Sequence, residues 1–305
     1  MEQLAKTRRL AELVGRYAVQ EGRSPTAVEG LEVFRADGAT PLQCTIYHPV
    51  VIIVAQGRKR AFLGGEAYEY SPSSYLVLPV SLPIESRVVE ATPEAPFLSF
   101  AIRIDPPTLG QLMLDSGQGS GPVGEIPRGI AVSEVDDALL DAALRLVACL
   151  DSEMDAKVLG PQVVREILYR VLAGPQGGLL RAAGVQDGRL SRVSRALGVI
   201  HESYAEPLEV PALARVAHMS VSSFYDAFRA VTSLSPLQYL KEIRLNRARQ
   251  IMLWEGMSAK RAATRVGYSS PSQFSREFKR RFGRPPGEER RWALATGELE
   301  GVRPY

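Results

Sequence analysis

The spacing of apolar residues changes twice along this chain. At the start, Leu4, Leu10, Leu13, Val14 and Tyr17 fall on one side of a helix over residues 2–20. From about residue 30 to 105 the pattern becomes short apolar runs separated by Gly, Pro and Ser, at 31–35, 44–47, 50–56, 60–63, 67–70, 75–78, 84–89 and 97–104. Many short strands at such spacing predict a sandwich or jelly-roll barrel, and a small barrel can enclose one ligand. After a Gly-rich stretch at 115–129, helical spacing returns. Leu139, Ala143, Leu146, Val147 and Leu150 form one stripe of a helix over 135–150, and a second helix follows at 161–172. That stripe suits either a second subunit or the chain's own barrel. The segment 174–188 reads as a linker.

In the last third, one pattern occurs twice. Arg215, Val216, Ser222, Phe224, Phe228 and Pro236 return at a constant offset as Arg265, Val266, Ser272, Phe274, Phe278 and Pro286, and Arg229 becomes Lys279. Each copy is a short helical run, a break and a longer helix, which is a helix-turn-helix. Gly267 suits the break in the second copy, and Ser220 suits the cap of the longer helix in the first. The phenylalanines, four apart, point inward. Outward positions are left for a ligand: Ser222, Tyr225, Asp226 and Arg229 in the first copy, and Pro271, Ser272, Ser275, Arg276, Lys279 and Arg280 in the second. Small residues first and basic ones further along suit base edges and then phosphates. Between the copies, residues 236–253 read as one helix of roughly 27 Å, close to the separation of about 34 Å between successive major grooves. The reading faces differ between copies, which predicts an asymmetric, non-palindromic site for each monomer.

Charge divides the chain in the same place. Residues 189–305 hold 20 Lys and Arg against 11 Asp and Glu, while the remainder holds 17 against 23, so a basic unit of +9 follows an acidic one of −6. A nucleic-acid binder with a separate control domain has this asymmetry. The predicted division is 1–188 and 189–305. The longest apolar run, 50–55, is too short to span a membrane, and the charged N-terminus does not read as a secretory signal; a cytoplasmic protein is expected. The two cysteines, Cys44 and Cys149, make no disulfide framework or zinc set.

The second half resembles the AraC/XylS family of bacterial transcription regulators, through Met219-Ser-Val-Ser-Ser-Phe, Ser235-Pro-Leu-Gln-Tyr-Leu, Arg244-Leu-Asn-Arg-Ala-Arg and, above all, Val266-Gly-Tyr-Ser-Ser-Pro-Ser-Gln-Phe-Ser-Arg-Glu-Phe-Lys-Arg-Arg-Phe-Gly-Arg-Pro-Pro. Pro41-Leu-Gln-Cys-Thr-Ile-Tyr-His-Pro and Val54-Ala-Gln-Gly-Arg-Lys are similar to one AraC-type sensor subgroup. The resemblance implies an α+β protein: a cupin-like β-barrel or jelly roll with flanking helices, then an all-α domain with two helix-turn-helix motifs. It implies a homodimeric transcription regulator, with activation the commoner mode, whose partners are double-stranded promoter DNA, RNA polymerase and a small-molecule effector. Asp226 departs from the polar or basic base reader common in relatives, although a carboxylate can accept a hydrogen bond from cytosine N4.

No cofactor, metal set or catalytic constellation is read. Of the three histidines only His48 lies in the barrel region, as a turn residue before Pro49, and no nucleophile or phosphate-loop motif is present. For an effector, Tyr47, Arg58, Arg60, Tyr68, Arg87 and Arg103 supply aromatic and cationic groups on the strands. Alternation sends Arg58 and Arg60 to one face and Lys59 to the other. An inward arginine face predicts an anionic effector, such as a carboxylate metabolite or a cyclic dinucleotide; an outward one is a solvated hairpin end. In the alternative reading the barrel is only a dimerisation or partner scaffold, with a core filled by Val, Leu and Phe rather than a cavity lined by Tyr and Arg. Cys44 is read either as a sensing thiol or as a small buried hydrophobe.

Overall fold

The computed structural model describes residues 2–72, 74–117, 128–185 and 188–296. Helix α1 (Glu2–Tyr17) leads into β1 (Gly22–Pro25), β2 (Leu31–Ala36), β3 (Gln43–Tyr47), β4 (Val50–Gln56), β5 (Arg58–Leu63), β6 (Glu66–Tyr70), β7 (Ser74–Leu78), β8 (Leu82–Glu90) and β9 (Phe97–Arg103). Then come α2 (Pro106–Asp115), β10 (Ala131–Glu134), α3 (Asp137–Ala148), α4 (Glu153–Val158), α5 (Gly160–Ala173) and α6 (Gly177–Gly184). The strands form two antiparallel sheets, β1-β2-β9-β4-β7-β10 and β3-β8-β5-β6. The β5–β6 hairpin turns on Gly64-Gly65, both at positive φ, as a two-residue loop matched to strand twist requires.

Strand β4 is buried from Val50 to Ala55 because α1 covers one face of its sheet with Leu10, Leu13 and Val14 while the second sheet lies against the other. A strand covered on both faces loses its polar alternation. Helix α3 packs between α1 and α5, so the stripe Leu139, Ala143, Leu146 and Val147 is buried within its own chain and is not free for a second subunit. The segment 174–188 is not an open linker: its centre folds as α6, packed on α2, α5 and α7. Most of the Gly-rich stretch at 115–129 lies outside the described residues.

The second unit is all helix: α7 (Arg189–Ser203), α8 (Val210–Val216), α9 (Val221–Thr232), α10 (Pro236–Trp254), α11 (Ala259–Arg265), α12 (Pro271–Phe282) and α13 (Pro286–Thr296). A capping box starts α10, with Ser235 Oγ accepting from Gln238 N and Gln238 Oε1 accepting from Ser235 N. This helix is buried on most of its sides, Asn246 and Arg249 included, because it packs against the barrel and both helix-turn-helices. Two cores meet along it. One runs from the barrel through α7, α8 and α9 to Ile243; the other begins at Leu245 and joins Ala248 and Met252 to Ala262, Val266, Phe274 and Phe278. The first helix-turn-helix therefore shares a core with the barrel, and the second has its own.

Candidate functional site

Each reading helix is set by a cap and a turn. Ser220 and Ser270 cap α9 and α12, accepting from the backbone N–H of Ser223 and Gln273, and left-handed Ser233 and Gly283 end the two helices. The paired rings Phe224–Phe228 and Phe274–Phe278, with centroids 5.4 Å apart in both cases, turn the same face of each helix inward. The preceding helices follow a different register. Leu213, Ala214 and Ala217 are buried in the first copy, and their counterparts are Ala262, Ala263 and Val266. Positive φ falls at His218 in one turn and Gly267 in the other. The second turn is thus one residue longer, and the sequence match of Val216 with Val266 does not mark equivalent places: Val216 is 36% exposed and Val266 fully buried. Gly267 has no substitute, since a Cβ there would lie 2.2 Å from the Ala205 carbonyl oxygen.

All ten side chains predicted to face DNA are exposed: Ser222, Tyr225, Asp226 and Arg229 on α9, and Pro271, Ser272, Ser275, Arg276, Lys279 and Arg280 on α12. Ser275 Oγ donates to the Pro271 carbonyl at 2.9 Å, which orients one of them. Arg281, one residue further, is not available in this state. Its Nε donates to Glu242 on α10 at 2.6 Å and its Nη1 to Glu85 on β8 at 2.8 Å. This arginine ties the second helix-turn-helix to the barrel.

Other contacts cross the same boundary. The Tyr239 hydroxyl on α10 donates to the Ser81 carbonyl at 2.7 Å and lies 2.8 Å from His201 Nε2, while its ring meets Phe228 edge-on. His201 is in turn beside His48, with ring centroids 5.8 Å apart. Burial, reinforced by the His48 and Arg247 charges, holds His201 down at about 3. Asn246 Nδ2 lies 3.5 Å from Cys44 Sγ. Burial pushes the Cys44 thiol up to about 11, which keeps it protonated and opposes the reactivity a sensing thiol needs.

Of the predicted effector residues, Tyr47 lines a cavity. Arg58 and Arg60 point outward from the four-stranded sheet, where Arg58 pairs with Glu69 and Glu90 and Arg60 with Glu69. Arg87 stands opposite Arg60, exposed on the same face. Tyr68 donates to Glu66, and Arg103 pairs with Glu29. The outward choice for Arg58 and Arg60 sends Lys59 inward. There it meets the rings of Phe34 at 4.6 Å, Tyr47 at 5.8 Å and Phe97 at 5.9 Å. Arg23 on β1 lies 5.4 Å from the Tyr47 ring centre, and Tyr47 Oη is 3.2 Å from Ser86 Oγ. Burial would raise the Tyr47 phenol, but the Lys59 and Arg23 charges outweigh it and bring it down to about 8. The cavity around these groups measures about 220 Å³. Sequence reasoning missed Arg23, which sits in a four-residue strand without apolar alternation, and left open whether the face of Arg58 and Arg60 or that of Lys59 turns inward.

Strand β3 borders both regions. Gln43, Thr45 and Tyr47 line the cavity, while Cys44 on the alternate face meets α10. In β8, Ser86 faces the cavity and Glu85, paired with Cys44 in register, holds Arg281.

Comparison with known proteins agrees with this architecture. Residues 27–179 match the family described as the AraC-type transcriptional regulator N-terminus, and residues 213–291 match a helix-turn-helix domain. The thermoregulatory protein LcrF of Yersinia pestis is 24% identical over 271 residues, covering 87% of this chain and 98% of LcrF. The virulence regulon transcriptional activator VirF of Yersinia enterocolitica is 27% identical over 170 residues, 56% of this chain and 62% of VirF. Among solved structures, apo ToxT of Vibrio cholerae superposes with a TM-score of 0.54 at 10% identity over 88% of this chain and 98% of ToxT, and unsaturated fatty acid bound wild-type ToxT with 0.55 at 10% identity over 88% and 95%. These structures share the fold. With half of its length matched to the sensor family and two capped helix-turn-helices behind it, this chain belongs to the AraC-type family of DNA-binding transcription regulators.

Proposed function

We propose that this regulator is a cytoplasmic, homodimeric activator. Each monomer reads an asymmetric promoter site with both recognition helices, and a small molecule in the barrel controls it. The observation that carries the DNA reading is the exposed face of α12, where Arg276, Lys279 and Arg280 have no carboxylate within ion-pair distance among the described residues. Cations in that position are available to phosphate and, at the start of the helix, to guanine. Activation through RNA polymerase follows the direction named for VirF. The effector reading is supported by the cavity and by β3 and β8, whose alternating residues touch the cavity on one face and the DNA-binding unit on the other. Since ToxT has been solved with an unsaturated fatty acid bound, an anionic effector is consistent with a regulator of this fold. For the second copy, Met154 and Val158, exposed one turn apart on α4, and the following Leu159 offer apolar surface that the α3 stripe does not.

The test is a binding comparison on promoter and random DNA across salt. Arg276→Glu should abolish the preference for promoter. Lys279→Ala should weaken both equally and reduce the salt slope by about one. An Arg276→Glu protein that still prefers promoter at wild-type strength would sink the assignment of α12 as reader.

A further inference from the structure

We propose that the barrel cavity takes a compact monocarboxylate bearing hydroxyl or oxo groups, with its carboxylate on Lys59 and its polar body against the hydroxyls of Tyr47, Ser86 and Thr45. The inference rests on the effector reading above and specifies its ligand.

Size is the first constraint. A volume of about 220 Å³ is on the order of seven waters at 30 Å³ each, below the usual range of drug-sized sites. Such a space holds a short acid, not a long alkyl chain. Charge is the second. In the inner recess burial disfavours the Arg23 charge, and Tyr47 and Glu32, which line the same space, oppose that effect. Arg35, at the outer end, is bonded to Asp37 at 2.6 Å, and Glu21 at the mouth is exposed and accepts from the Asp37 backbone N–H. Lys59 has no carboxylate within ion-pair distance among the described residues; its neighbours are the three rings of Phe34, Tyr47 and Phe97. One uncompensated cation in a partly desolvated space selects one negative charge. Polarity is the third. Gln43, Thr45, Tyr47 and Ser86 line the same cavity as Lys59 with an amide and three hydroxyls, and Phe34 and Val88 are among its apolar residues. Tyr47 and Ser86 bond each other at 3.2 Å while Gln43 and Thr45 are half-buried, and a polar lining of this kind favours a ligand that carries matching hydroxyl or carbonyl oxygens.

Tyr47 reports occupancy. Facing it are Lys59 from β5, Arg23 from β1, Ser86 from β8 and Tyr70 from β6, with Glu32 from β2 behind Arg23. A carboxylate on Lys59 removes the charge that favours phenolate, so the Tyr47 titration must move upward on binding. Tyr68, Tyr70, Tyr75, Tyr239 and Tyr268 are all shifted the other way, so the Tyr47 phase stands apart.

The experiment is an ultraviolet phenolate titration of the full chain from pH 7 to about 9.5, run with 3-hydroxybutyrate, acetate, inorganic phosphate, oleate or neutral 1,3-butanediol, with Tyr47→Phe identifying the phase. The expected result is a saturable upward shift of about one pH unit with 3-hydroxybutyrate, a weaker one with acetate and none with the diol. Lys59→Gln should weaken binding at least about tenfold, and Lys59→Arg should retain it; thermal melting of both shows whether they fold. No shift at millimolar 3-hydroxybutyrate, an equal shift in Lys59→Gln, or tighter binding of phosphate or oleate would each overturn the proposal. Promoter binding is followed in the same samples. A carboxylate that moves Tyr47 without changing DNA affinity leaves the site standing and refutes the effector reading; intact DNA binding with a silent cavity does the reverse.

Discussion

The second helix-turn-helix depends on a buried ion pair, and removing one partner should expose how much. Glu289 on α13 is fully enclosed. Its Oε1 accepts from Arg249 Nε on α10 at 2.5 Å, and Arg284 Nε approaches Oε2 at 3.3 Å. Arg249 is only 4% exposed, so Glu289→Ala would take the paired carboxylate from a guanidinium that water reaches poorly. Breaking a buried pair from one side costs about 3–5 kcal/mol. Arg284 adds little to that figure, since at 22% exposure it can turn toward solvent. Glu289→Gln keeps the shape and one acceptor, and should cost less, about 1.5–3 kcal/mol, the worth of hydrogen bonds to charged groups. Replacing both Arg249 and Glu289 by Met removes the charges together and should be close to neutral. Both tryptophans of the chain, Trp254 at the end of α10 and Trp292 on α13, lie in this unit. Urea unfolding followed by their fluorescence thus reports it directly, and far-ultraviolet circular dichroism reports the whole chain. A loss below about 1 kcal/mol for Glu289→Ala, or an equal loss in the double Met variant, would refute charge burial as the cause.

Three further outcomes are expected. His201 is held at about 3 when folded and titrates near 6.5 when unfolded, so between those values the unfolded chain binds a proton that the native one does not. Stability should therefore fall as pH drops from 6.5, by up to about 1.4 kcal/mol per pH unit, and His201→Gln should flatten that slope in urea titrations at pH 7.5 and pH 5; an identical slope would refute it. Gly267→Ala meets both a positive φ of 87° and the Ala205 carbonyl. It should cost on the order of 1–3 kcal/mol, read by the same fluorescence, and a neutral variant would contradict the turn geometry. Glu85→Gln loosens the hold of the barrel on Arg281, a partly exposed pair worth no more than about 1 kcal/mol to stability. The freed cation should steepen the salt dependence of DNA binding by about one, and an unchanged slope would show that Arg281 stays bound to Glu242.

The residues differ in how much of their placement local pattern carries. Phe224, Phe228, Phe274 and Phe278 repeat at helical spacing beside serine caps, and a helix so marked has only one face to bury; the exposed reading faces followed from that alone. In the first helix of each copy the matching letters Arg215-Val216 and Arg265-Val266 stand one place off the structural equivalence, since Val216 is exposed and Val266 buried. At Gly177-Gly178 glycine content suggests an open chain, yet Leu179 and Leu180 have a core to enter and the segment folds as a helix. For β5 the alternation of Arg58, Lys59 and Arg60 was plain, but its sense was not: a strand with charges on both faces has no intrinsic inside.

Amino-acid order by itself determined the α+β succession, the duplicated reading unit and the basic second half, which rest on short-range periodicity, caps and composition, and it carried the motifs through which the chain resembles its family. Only the tertiary structure decided which cation enters the barrel, that Arg281 is held by Glu85 and Glu242, and that the first helix-turn-helix shares a core with the sensor while the second stands on its own. Those outcomes depend on which surfaces meet across sequence separations such as that between Glu85 and Arg281, 196 residues apart. No local preference encodes such a meeting.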